Sequence, residues 1–99
     1  VKCTLEDVVR EGTRVLKPGG RFFMVHRPRR LIEIITVMKR HGLEPKRMKM
    51  VHPYADREAN MVLIEAVRGG GPLLKMEAPV IVFDQNGEYS PEIRTTYGY

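Results

Sequence analysis

Two short runs hold most of the side chains that could recognise a ligand. They are His26-Arg27-Pro28-Arg29-Arg30 and His52-Pro53-Tyr54-Ala55-Asp56-Arg57, the second followed closely by Asn60. Guanidiniums make forked hydrogen bonds to phosphate, and an aromatic ring stacks on an unpaired base. The candidate contact residues are therefore His26, Arg27, Arg29, Arg30, Tyr54 and Arg57. Tyr54 is the candidate for stacking, and the arginines are the candidates for phosphate. The plainer reading of each is a satisfied polar group at a strand end, a packed tyrosine or a solvated arginine. No catalytic residue is expected among them. His26 and His52 lack a third ligand for a metal, and Cys3 is the sole cysteine, without a partner base or a disulfide mate.

The charge is concentrated in the same region. Residues 27–49 hold Arg27, Arg29, Arg30, Lys39, Arg40, Lys46, Arg47 and Lys49 against Glu33 and Glu44. That is a local +6 in a chain of net +5, so the remainder sums to −1. Such a patch is an electrostatic footprint for a polyanion, or simply a solvated surface.

The elements that position these residues follow from local pattern. Thr4 suits an N-cap, with Asp7 at the capping-box position, for a helix over 5–16. Its apolar face is Leu5, Val8, Val9, Val15 and Leu16, and Gly12 within it implies close packing against a neighbour. Lys17-Pro18-Gly19-Gly20 ends this helix and turns the chain sharply. A strand follows over 21–26, apolar without alternation from Phe22 to Val25, which suits burial on both faces. Pro28 then opens a second helix with Leu31, Ile32, Ile35 and Met38 as its inner stripe, widened by Ile34, and Gly42 stops it. Arg29 and Arg30 oppose the dipole at its start, which points to a purpose other than helix stability.

Two further strands differ in kind. Over 46–52, Arg47 and Lys49 alternate with Met48 and Met50, the charged pattern of a protected sheet edge. Over 61–67 the run is apolar apart from Glu65, as in an interior strand. The connection 53–60 is shorter than the dozen or so residues of a parallel crossover, so these strands are expected to be antiparallel neighbours. The 61–67 strand then lies between the 21–26 strand and the 46–52 edge. Met24, Met48, Met50 and Met61 read as core filler. Beyond Gly69-Gly70-Gly71-Pro72, a strand over 79–83, a turn at Asp84-Gln85-Asn86-Gly87 and a short helix from Ser90-Pro91-Glu92 complete the reading.

At 99 residues, 42% hydrophobic and 29% charged, the chain has the size and make-up of one small soluble domain. No apolar run approaches a membrane span and no signal-peptide pattern opens the chain, so the expected location is cytoplasmic. The start at Val1 rather than Met, just before a helix, reads as a truncated product.

Leu16-Lys17-Pro18-Gly19-Gly20 followed by a strand resembles the stretch before the fifth strand of class I S-adenosylmethionine-dependent methyltransferases. Val25-His26-Arg27-Pro28, Gly42-Leu43-Glu44-Pro45-Lys46, His52-Pro53, Glu58-Ala59-Asn60-Met61-Val62-Leu63-Ile64-Glu65 and Ile81-Val82-Phe83-Asp84 are similar, more narrowly, to bacterial tRNA (valine) adenine-N6 methyltransferases. The resemblance implies an α/β fold: the C-terminal half of a Rossmann-like methyltransferase domain, strands 5, 6 and 7 with flanking helices and the last strand antiparallel. Residues 1–68 would form that half, and 69–99 a linker with a hairpin-like C-terminal extension.

The implied function is transfer of a methyl group to adenine in tRNA, a tRNA-processing role, with S-adenosylmethionine as cofactor of the full-length enzyme. The chain contains neither the glycine-rich cofactor turn, nor the acidic ribose ligand, nor the Asn-Pro-Pro-aromatic turn of that family. By itself it is expected neither to bind the cofactor nor to catalyse. Other readings are a methyltransferase fragment acting on a small molecule or protein, and a stand-alone basic RNA-binding module. An unpaired edge on the 21–26 strand, with apolar faces lacking a partner, further implies that the isolated chain self-associates as a dimer.

Overall fold

The computed structural model describes residues 4–83, 87 and 88. The first helix, α1 (Leu5–Arg14), opens on the expected capping box: Thr4 Oγ1 accepts the Asp7 N–H and Asp7 Oδ2 accepts the Thr4 N–H, both at 3.1 Å. It stops at Arg14, short of Leu16, and Val9 and Thr13 are its buried residues. The Thr13 hydroxyl would be costly to bury unpaired, and it donates to the Val9 carbonyl at 2.6 Å. Val15 lies beyond the last turn and is 72% exposed, so the apolar face is narrower than its sequence implied.

Gly19, at φ +83, makes the turn that glycine permits without steric cost. The turn is stitched to the far end of the sheet. Gly19 N–H donates to the Arg68 carbonyl and Arg68 N–H to the Gly20 carbonyl, both at 2.9 Å. The strand β1 (Arg21–His26) follows, then a single 3-10 turn (Pro28–Arg30), helix α2 (Leu31–Arg40) and strand β2 (Leu43–His52). In α2 the buried residues are Ile34, Val37 and Met38, with Leu31 and Ile35 packed beside them. Ile32, expected on the inner stripe, is 80% exposed. At 100° per residue, positions 31, 34, 35 and 38 share a face and position 32 falls outside it.

Strand β3 (Met61–Arg68) sits between β1 and β2 and runs antiparallel to both, as the short 53–60 connection required. Its residues alternate strictly. Val62, Ile64 and Ala66 face the two helices and meet Val9, Ile34, Val37, Met38, Leu43 and Met48 in one core. Phe22 and Met24 of β1 and Met50 of β2 pack around that core. Met61, read as core filler, is 44% exposed.

Two expectations need correction. β2 is not the edge of the sheet. The short strands β4 (Lys75–Met76) and β5 (Val80–Ile81) both run parallel to it, pairing Arg47 with Lys75 and Val51 with Val80. The offset between partners grows by one residue around Pro79, which lacks an N–H to donate. Arg47 therefore does not guard an open edge. Its guanidinium joins Glu77 beyond β4, at 3.0 and 2.9 Å, to Glu65 on β3, at 3.5 Å.

Nor is β1 covered on both faces by the described residues, since Phe23 and Val25 are 69% and 59% exposed. Beside them Leu63, Glu65, Arg47 and Lys49 floor a shallow cavity of about 330 Å³ on the side away from the helices. The turn expected at 84–86 and the helix expected from Ser90 lie outside the described residues.

Gly12 is required by α1's approach to β1, because a Cβ there would stand 2.2 Å from the Phe22 ring. Gly12→Ala should therefore lower stability by about 1–3 kcal/mol despite its gain in helix propensity. A urea midpoint that stays put or rises in this variant would show that the helix has room to spare.

Glu77 has its carboxyl held below the ordinary glutamate value of 4.5, first by its hydrogen bonds from Arg47 and then by that charge. A depressed carboxylate contributes stability above the unfolded value and loses it as pH falls through the folded one. Wild-type protein should lose urea resistance as pH drops from about 5 towards 3. Glu77→Gln should be less stable at neutral pH and flatter across that range, and identical pH profiles would remove the pair from the fold's acid sensitivity.

Candidate nucleic-acid interface

β1 and β2 run the same way on either side of β3, so His26 and His52 arrive at the same end of the sheet. In open α/β sheets that end, beyond the strand C-termini, is where ligands bind. The 3-10 turn after β1 and the 53–60 connection after β2 both project there. Between them lies an open cleft of about 470 Å³ lined by Arg27, Pro28, Arg29, Glu58, Ala59 and Asn60. Asn60 is fixed by its N–H bond to the Val51 carbonyl at 2.9 Å.

The fold treats the six candidate residues differently. Arg27 and Arg29 are exposed on the cleft wall and form no ion pair among the described residues. His26 turns back on the backbone, with Nδ1 accepting the Arg27 N–H at 2.8 Å, which leaves Nε2 as the nitrogen carrying the hydrogen in the neutral ring. Arg30 faces away from the cleft and forks onto Glu33 at 2.9 and 2.6 Å. The same contact holds the Glu33 carboxyl below its ordinary value. Tyr54 packs on Phe83, ring centres 5.5 Å apart and tilted 33°, with 37% of its surface exposed. The Arg57 carbonyl is bonded to His52 Nδ1 at 2.7 Å, so its side chain is carried on a braced loop.

Ion pairing sorts the basic segment. Lys39 meets Glu44 at 3.5 Å, Arg40 meets Glu6 at 3.0 Å, Arg30 meets Glu33 and Arg47 meets Glu65 and Glu77. Lys46 donates to the Gly71 carbonyl at 2.9 Å. Arg27 and Arg29 at the cleft and Lys49 on the bare sheet face are left without such partners among the described residues. A free guanidinium is available to an incoming anion, whereas a forked one must first surrender its carboxylate.

Glu58 and Ala59 belong to the cleft, yet neither was among the candidate residues. Two signals pointed to them: their place in a connection too short to stray from the strand ends, and their membership of the Glu58-Ala59-Asn60 segment that carries the resemblance. Among the described residues, no group of three His, Cys, Asp or Glu side chains is arranged to hold a metal ion. No helix there is long and apolar enough to cross a membrane.

No protein-family model and no curated protein matches the sequence. The fold does have solved counterparts. A predicted O-methyltransferase from Agrobacterium tumefaciens superposes with a TM-score of 0.84 at 22% identity. The match covers 95% of this chain. The chain has a methyltransferase-like Rossmann fold. It spans 45% of the neighbour's length, so the likeness joins nearly all of this chain to less than half of that one.

Proposed function

We propose that this chain is the C-terminal part of an S-adenosylmethionine-dependent methyltransferase acting on adenine N6 in tRNA, and that it supplies scaffold and an RNA-facing surface. The reading rests on one observation above all: Arg27 and Arg29, which form no ion pair among the described residues, wall an open cleft at the end of the sheet beyond the C-termini of β1 and β2. The fold match and the His26-Arg27-Pro28 and Glu58-Ala59-Asn60 segments support it from separate directions. Here Arg27 and Arg29 neutralise phosphates, and exposed Arg57 adds a third charge on the loop opposite. Tyr54, already leaning on Phe83, offers its remaining surface to an unstacked base. His26 positions the Arg27 backbone. The cofactor and the methyl transfer itself belong to residues beyond this chain, whose part is to hold the RNA in line.

Phosphate contacts make binding fall with salt, each adding ~0.7–0.9 to the log–log slope. Wild-type chain is expected to bind tRNA weakly and with little sequence preference. Replacing Arg27 and Arg29 together by Ala should weaken binding and flatten the slope by roughly 1.5. Arg30→Ala should change it far less, because its guanidinium is already engaged with Glu33. A fluorescence titration series across salt reads all three, and an unchanged slope in the double variant would overturn the assignment.

A further inference from the structure

The C-terminal segment bears on the candidate interface from the far side of β2. Beyond β4, the Glu77 N–H donates to the Met48 carbonyl at 2.8 Å. Beyond β5, the Val82 and Phe83 N–H groups donate to the His52 and Pro53 carbonyls, both at 2.9 Å. The last of these bonds reaches past the end of β2 and holds the peptide group that joins Pro53 to Tyr54. The Phe83 ring then meets the Tyr54 ring, centres 5.5 Å apart, within the range of favourable aromatic pairs. The segment is tied at its other end as well, where Arg47 forks onto Glu77. Elsewhere the 53–60 connection is anchored by its backbone. Asn60 N–H donates to the Val51 carbonyl, Arg57 N–H to the Tyr54 carbonyl at 3.1 Å, and the Arg57 carbonyl meets His52 Nδ1. The Tyr54 hydroxyl has no hydrogen-bond partner among the described residues, so packing alone directs its ring.

We propose that Phe83 is a positioning residue: with residues 77–83 as its strap, it holds the Tyr54 ring ready to stack on an unpaired base. The proposal rests on the reading of this sheet end as RNA-facing, and adds to it the element that orders the stacking ring. Phe83 backs one side of Tyr54, while 37% of the tyrosine's surface stays open. A base arriving on the open side extends an aromatic pair that already exists. A ring held in advance spares the complex the entropy of ordering it on contact. Stacking tolerates any base, because each has a π-face, which agrees with binding of little sequence preference.

Phe83→Ala keeps the N–H that bonds Pro53 and removes only the ring. In the RNA-free chain it should quicken hydrogen exchange at the Arg57 amide, which depends on Tyr54 staying in place. In fluorescence titrations its affinity for tRNA should fall about three- to tenfold. The salt slope should not change, since no phosphate contact is lost. Phe83→Trp, which restores an aromatic face, should recover most of the affinity. In a Tyr54→Ala background Phe83→Ala should cost nothing further, whereas a general loosening of the fold would weaken binding in either background. Wild-type affinity in Phe83→Ala, an equal loss with and without Tyr54, or unaltered exchange at Arg57 would each overturn the proposal. In those cases the slope of the Arg27 and Arg29 double variant still reports separately on the RNA-facing reading. A wild-type chain that binds no tRNA would overturn both.

Discussion

The eight residues from Pro53 to Asn60 constrain everything else in this fold. They are too few to carry a chain back across a sheet, so β3 must return antiparallel beside β2. Having done so, it offers its other edge to β1, and its alternation of Val62, Ile64 and Ala66 fixes which face the helices cover. A slip of one residue would send those three side chains to the bare face and bring Leu63 and Glu65 inward. The same return places the ends of β1 and β2 together, and the cleft between the 3-10 turn and the connection is a direct consequence.

Electrostatics then decides which part of the basic segment is free to act. Most of its cations are tied into the architecture. Arg40 and His41 both reach Glu6 and hold α2 to α1, while Arg47 joins Glu65 to Glu77 and holds the C-terminal segment to the sheet. Such exposed pairs are individually weak, but they give their members somewhere to be other than on a ligand. Charge counting along the sequence makes these cations equivalent; among the described residues the fold leaves Arg27, Arg29 and Lys49 without an ion pair, and of these only Arg27 and Arg29 line the cleft.

Strand order was legible because it depends on short-range facts: the length of one connection, the apolar run at 61–67 and the capping residues Thr4 and Asp7. Gly12's close packing was legible for a similar reason, since a glycine on an apolar helix face has few other uses. The docking of β4 and β5 was not. It rests on Arg47 meeting Glu77 thirty positions away, and the alternation of Leu74-Lys75-Met76-Glu77 is too short to announce a strand or to name its partner. The exposure of Ile32 was readable from helical angle alone. At the candidate interface, the sequence grouped Arg27, Arg29 and Arg30 together. Only the spacing of Arg30 to Glu33, three apart on a helix start, hinted that the third would be occupied. Tyr54's contact with Phe83 depends on the course of the C-terminal segment and had no local sign.

The central claim is that this molecule meets RNA at the end of the sheet where β1 and β2 finish. Backbone chemical-shift mapping during titration with tRNA tests it most directly. The account predicts perturbations concentrated at residues 26–29 and 54–60, with the opposite end around Gly69, Gly70 and Lys17 unmoved. Shifts centred on that opposite end, or spread evenly over the cations with Lys39, Arg40 and Lys46 moving as much as Arg27 and Arg29, would contradict it.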